Sequence, residues 1–131
     1  MVRAGAGGAV EGFAKKEEWK RGYREINEME RTLVDNGAIL MKFYLHITKS
    51  EQLRRFERRA ADPYKHWKIS EEDWRNRRKW KEHLTAAEDM FRKTNARIAS
   101  WNLIEGNYKW YARIKIMKLL VKRLEQEFGR L

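Results

Sequence analysis

No cysteine occurs among the 131 residues, which excludes disulfides and thiolate metal sites and fits a reducing compartment. No apolar run approaches the roughly 20 residues a membrane helix needs, and the start, MVRAGAGGAVEGF, lacks the compact apolar core of a secretory signal. The expectation is a soluble, cytoplasmic protein of one small domain or a piece of one. A phosphate-cradling G-x-x-x-x-G-K-[ST] loop is missing too: Gly5-Ala6-Gly7-Gly8 has neither the spacing, the lysine nor a preceding strand. No aspartate closes an apolar strand where it would hold magnesium, since ILMKFYLHI runs into His46-Ile47, and Glu105 alone sits at a strand end. His46, His66 and His83 have no pairing that suggests a metal site or a general base, and they read as surface or packing residues.

What the chain has in excess is positive charge, with a formal net value of +11. A field of that sign concentrates nucleic acid, nucleotides, inorganic polyphosphate or acidic lipid heads, and it does not choose among them. A solvated cationic surface is the competing explanation. The charge peaks in RRFERRAADPYKHWK, residues 54–68, where six Lys/Arg and one histidine face only Glu57 and Asp62. A hydrophobic content of 42% with six tryptophans suffices for a core.

Apolar positions place the elements. The stretch 3–10 is Gly/Ala-rich without period and reads as a flexible start. Trp19, Tyr23, Ile26, Met29 and Leu33 recur at helical steps over 16–34, and Asn36-Gly37 supplies a left-handed stop. Residues 39–47 are apolar at nearly every position, as in a parallel strand covered on both faces. Thr48 and Glu51 have the spacing of a capping box, opening a helix that turns Leu53 and Phe56 inward and ends before Pro63. A third helix starts at Ser70 and keeps its period from Trp74 through Phe91. WNLIE, bounded by Gly106-Asn107, reads as a second strand, and Trp110 to Phe128 as a helix stopped by Gly129. This order predicts an α/β fold with two parallel strands and about four helices. The 53 residues 48–100 exceed one crossover helix, so an extra helical element projects from the sheet and carries the basic stretch.

Arginine's planar fork suits phosphate oxygens, and several forks converging from one helix and loop can hold a polyanion. Arg54 and Arg58 are read as surface partners of Glu51, Glu57 or Asp62. Trp67, Trp74 and Trp80 lie among basic residues and would suit base stacking, although helical spacing favours a core role.

Several runs now resemble one family. VEGFA, EEW, the long block REINEMERTLVDNGAILMKFYLHITKSEQLRRFERRAADPYKHWKIS, DWRNRRKW and WNLIEGNYKWYAR are similar to the family-two polyphosphate kinases, over residues 10 to about 128. The resemblance implies a P-loop-kinase-like three-layer α/β/α fold, phosphate transfer between inorganic polyphosphate and AMP or ADP, dependence on Mg2+, and a helical lid, two projecting helices over about 48–95. It places the family's R-F-x-x-R arginines on Arg55 and Arg59, and its D-P-x-K-x-W-K segment on Asp62, Pro63, Lys65, Trp67 and Lys68. Arg55, Arg59, Lys65 and Lys68 would face polyphosphate. Asn107, Lys109 and Arg113 match an N-x-K-x-x-x-R segment placed near the nucleotide.

The family's Walker A-type loop and Walker B-type D-R-[ST]-W-Y segment lie upstream of VEGFA, where this chain has MVRAGAGGA. The expectation is therefore a partial fold: residues 1–9 a flexible start, 10–131 the C-terminal half of the kinase domain, with no magnesium ligand identified. Without the loop amides, lysine and metal ligand it would be inactive alone. A non-catalytic module binding polyphosphate or nucleic acid is the alternative. Exposure of one face of ILMKFYLHI would favour a homo-oligomer or a missing N-terminal half as partner, with no membrane involved.

Overall fold

A computed structural model describes residue 12 and residues 15–130; the expected flexible start, 1–9, lies outside the described residues. Helix α1, Lys16–Asp35, begins where the Lys15 amide donates to the Glu18 carboxylate at 2.8 Å, and it ends at Gly37, whose φ of 89° admits glycine without strain. Strand β1, Lys42–His46, and strand β2, Trp101–Glu105, pair in parallel from Lys42 opposite Trp101 to His46 opposite Glu105. The predicted first strand is thus shortened to the residues that find a partner.

Because side chains alternate across a strand, Lys42, Tyr44 and Trp101 share one face. Helices α1 and α4 (Trp80–Thr94) cover it. Phe91 of α4 stands edge-on to Tyr44 at 4.9 Å and to Trp101 at 5.4 Å. Helix α5, Lys109–Phe128, packs on β2, with Leu119 and Lys122 beside Asn102 on the opposite face. Helix, sheet and helix are the three layers of an α/β/α fold, all present within the described residues. The three layers and the two parallel strands are those the sequence predicts.

Between the strands run α2 (Lys49–Ala61), a 3-10 turn at His66–Lys68, α3 (Glu71–Arg78), α4 and a second 3-10 turn at Arg97–Ala99. Among the described residues, five α-helices replace the expected four, because the predicted helix from Ser70 breaks at Lys79, whose ψ of 30° leaves the helical well. The two halves answer to different neighbours. Trp74 of α3 stands edge-on to Phe56 at 5.0 Å, and Arg77 Nη1 donates to the Lys49 carbonyl at 2.6 Å, so α3 follows α2. Helix α4 instead follows α1 and the sheet. Ser70 caps α3 reciprocally with Asp73, as its sequence suggests.

Trp74 therefore has the packing role its spacing predicts, whereas Trp67 is exposed. Leu45 and Leu103, one on each strand, are more than half exposed. No described helix is long and apolar enough to cross a membrane.

Candidate anion-binding cleft

Both strands deliver their carboxyl ends to helix N-termini: β1 leads through Thr48 into α2, and β2 leads through Gly106-Asn107-Tyr108 into α5. The crevice outside the carboxyl ends of parallel strands is where open α/β sheets bind ligands, and unsatisfied amides at helix starts favour anions there. A cleft of about 370 Å³ opens at this place, with Thr48, Ser50, Arg54, Arg55 and Arg58 on the α2 side and Asn107, Tyr108, Lys109 and Trp110 on the α5 side.

Short contacts hold its floor together. The Gly106 amide donates to the His46 carbonyl at 2.6 Å, and a Cβ at Gly106 would meet that oxygen and Ile47 Cγ2 at 3.1 Å each, so a side chain there would push the two turns apart. The Thr48 amide donates to Asn107 Oδ1 at 3.0 Å, and Asn107 Nδ2 donates to Thr48 Oγ1 at 3.3 Å. Only half of the expected capping box forms. Thr48 Oγ1 accepts from the Glu51 amide at 3.2 Å, but the Glu51 carboxylate turns to Arg54 and Arg55, each at 3.2 Å.

The expected site residues part company here. Arg55, Asn107 and Lys109 come together in the cleft. Arg55 is largely covered, its side chain 18% exposed, and its Nη2 donates to the carbonyls of Gly106 at 2.6 Å and Asn107 at 3.2 Å. Arg59 is half-buried on the next turn and does not line the cleft. Lys65 pairs with Asp62 at 3.4 Å, and Lys68 lies over the Trp67 ring at 5.4 Å, both on the loop after α2. Arg113 stacks over Trp110 at 5.0 Å and faces an apolar groove of α5 with Ile114, Met117 and Val121.

Two cleft residues were assigned elsewhere by sequence reasoning. Arg54 does pair with Glu51, yet its side chain is 67% exposed and lines the cleft; Arg58, one helical turn on, lines it as well. Their four-residue spacing puts both on one face of α2 and was the signal available.

Asp62 organises the loop: its Oδ1 accepts from the Tyr64 amide at 2.9 Å, and its backbone carbonyl accepts from the amides of Lys65 and His66. The Tyr64 amide above all, with Lys65 and His66 adding to it, holds its carboxyl below the usual carboxylate range against the opposing effect of desolvation. The sign follows: the loop gains from this carboxylate above its unfolded pKa of about 3.9 and loses the gain as pH falls through the lower folded value. An NMR pH titration should find Asp62 titrating below free aspartate, and Asp62→Asn should remove the acid dependence of the Tyr64 amide shift; a normal titration midpoint would contradict the turn.

The described residues do not fit a magnesium cage. No three His, Cys, Asp or Glu side chains cluster among them. Glu51 is held by two arginines, and Glu105, the acid at the strand end, accepts from Lys115 Nζ at 2.7 Å, which lowers its own pKa and raises that of the lysine.

With the cleft in view, comparison with known proteins is informative. The sequence pattern described as Polyphosphate kinase 2 (PPK2) matches residues 3–130. The chain is 45% identical over 121 residues to a polyphosphate:AMP phosphotransferase of Pseudomonas syringae pv. tomato, covering 92% of this chain and 24% of that protein. It is 47% identical over 118 residues to a polyphosphate:AMP phosphotransferase of Acinetobacter johnsonii, covering 90% and 25% respectively. The crystal structure of polyphosphate kinase 2 from Arthrobacter aurescens TC1 superimposes with a TM-score of 0.86 at 39% identity, covering 91% of this chain and 42% of that one. The chain spans about a quarter of the length of the two curated relatives.

These matches overturn the expectation of a C-terminal half that is inactive alone. The family pattern is not confined to 10–131: it takes in residues of the supposed flexible start and runs to 130. The doubt about an enzyme rests on the absent Walker A-type loop with its lysine, the absent Walker B-type segment and the absent metal ligand; of these, helix N-terminal amides and converging arginines can replace the anion-binding part. From residue 3 to residue 130, the chain belongs to the polyphosphate kinase 2 family.

Proposed function

We propose that this chain serves phosphoryl transfer between inorganic polyphosphate and AMP or ADP, with the cleft between α2 and α5 holding the phosphates. One observation carries the reading: Arg54, Arg58 and Lys109 converge with two helix N-termini at the carboxyl ends of the strands. Phosphoryl transfer leaves a protein little covalent chemistry to do, so positioning and neutralisation of the phosphate oxygens supply most of the catalysis. The two α2 arginines present planar forks to those oxygens, and Lys109 adds a point charge from the other wall. Arg59, Lys65 and Lys68 extend the cationic surface along the helical lid, where successive residues of a polyphosphate chain run. Asn107 orders the nucleotide side, and Arg113 supports it through Trp110. Magnesium, which the family implies, would neutralise phosphate charge when bound with substrate; the described residues offer it no donor set of their own. Exposed Leu45 and Leu103 make a second copy of the chain or a further segment a fitting partner for the sheet.

The test is phosphate transfer from polyphosphate to AMP and to ADP by the purified protein with magnesium, followed by coupled detection of the product nucleotide. Turnover is expected; a folded protein that transfers phosphate to neither nucleotide would sink the reading. Polyphosphate binding should also weaken with salt, the log–log slope falling by roughly 0.7 for each cation removed by Arg54→Ala or Arg58→Ala. Affinity should fall about tenfold or more per arginine, the worth of a charge-assisted hydrogen bond. An unchanged slope in the double variant would return both arginines to the solvated surface.

A further inference from the structure

We propose that Arg55 is a positioning residue: a strut that sets the distance between the two walls of the cleft, leaving phosphate contact to Arg54, Arg58 and Lys109. The proposal rests on the functional reading above and deepens it. Its ground is where the Arg55 donors go. Nε donates to Glu51 Oε1 at 3.2 Å, on the same helix, while Nη2 reaches across the cleft floor to the carbonyls of Gly106 and Asn107. Those carbonyls belong to the turn from which Lys109 and the N-terminus of α5 project.

Exposure separates the neighbours. The Arg54 side chain is 67% exposed and that of Arg55 18%. Three donor bonds spent on protein acceptors leave Arg55 little to offer a mobile polyanion. Glu51, itself buried, completes the arrangement by orienting the guanidinium plane. The strut works beside the Thr48–Asn107 bracket and the Gly106–His46 bond, so the two turns are joined at three places, of which Arg55 alone is carried by the body of α2. A shift of that turn would move Lys109 relative to the α2 arginines, and misplacing phosphate ligands by about 1 Å can cost on the order of 100-fold in rate.

The two possible roles respond differently to lysine. A phosphate ligand keeps its charge in Arg55→Lys; a strut does not survive, because one ammonium cannot serve a carboxylate and two carbonyls in the plane of a fork. Arg55→Lys and Arg55→Ala should therefore fall together, by about 10- to 100-fold in kcat, with KM for polyphosphate nearly unchanged. The salt slope of polyphosphate binding should stay at the wild-type value, whereas Arg58→Ala lowers it. Amide hydrogen exchange at Thr48 and Gly106 should quicken in both Arg55 variants. A slope lowered by Arg55→Ala, wild-type kcat in Arg55→Lys, or unchanged exchange at both amides would overturn the proposal. If Arg55→Ala does not fold, Arg55→Lys decides by the same readouts. Should the wild-type protein show no turnover, the functional reading fails by itself, and the exchange and binding arms still judge the strut.

Discussion

Replacing Lys42 by methionine is expected to destabilise the protein by about 3–5 kcal/mol, the cost of leaving a buried charge without its partner. Lys42 enters β1 with its side chain 9% exposed, and its Nζ lies 3.1 Å from Glu30 Oε2, whose side chain is 6% exposed. The same ammonium donates to the Thr94 carbonyl at the end of α4 and sits 4.8 Å from the centre of the Trp101 ring on β2. Thr94 in turn accepts from Trp101 Nε1 at 3.0 Å. One ammonium thus joins α1, β1, α4 and β2, and its removal strands a carboxylate in a site built for an ion pair. The double variant Glu30→Leu with Lys42→Met removes both charges and should recover most of the loss, since apolar replacement of a whole buried pair is often neutral. Urea denaturation of the two variants at neutral pH is the measurement. A Lys42→Met variant with the wild-type midpoint would mean that water reaches the pair.

Phe56→Ala should cost a similar amount, about 3–5 kcal/mol, but locally. Phe56 is 5% exposed and is the buried apolar side chain of α2, where it meets Trp74 of α3 at a plane angle of 73°. The helical hairpin of α2 and α3 has its own small apolar cluster, apart from the layers around the sheet, so it should open as its own unit. Hydrogen exchange should show protection lost across 49–61 while α5 keeps it, and polyphosphate affinity should fall because Arg54 and Arg58 lose their orientation. Phe56→Leu, which keeps most of the volume, should lose less than about 1.5 kcal/mol. Uniform loss of protection over the whole chain in Phe56→Ala would show instead that the hairpin and the sheet unfold together.

Most of the element order was legible in the residues. The steps from Trp19 to Leu33 and from Trp110 to Phe128 produced helices at their predicted places, and Asn36-Gly37 and Gly129 ended them. WNLIE, short and flanked by turn residues, is β2. The break at Lys79 was not legible, because the apolar period continues smoothly from Trp74 to Phe91 and the bend comes from helices choosing different neighbours. Family membership was also visible, in RFERR, DPYKHWK and WNLIEGNYKWYAR, while the expectation of an inactive half, drawn from the absent Walker A-type loop, Walker B-type segment and metal ligand, is corrected by the match over residues 3–130.

The site was half legible for a similar reason. Arg55, Asn107 and Lys109 meet in the cleft, although their motifs pointed Arg55 to polyphosphate on the lid and Asn107 and Lys109 to the nucleotide, and Arg54 and Arg58 join them although their spacing pointed to surface pairs. Arg113 lies off it, over Trp110. Periodicity tells which residues share a face of one helix, and the sequence alone therefore determined most of the elements, their order, the excess of cations and the family. It carries no information about what that face meets. Only the tertiary structure decided that the α2 face carrying Arg54 and Arg58 opens on the N-terminus of α5, and that Arg55 between them turns to the Gly106 and Asn107 carbonyls, because residues 51 and 52 positions apart in the chain are brought together by the pairing of two short parallel strands.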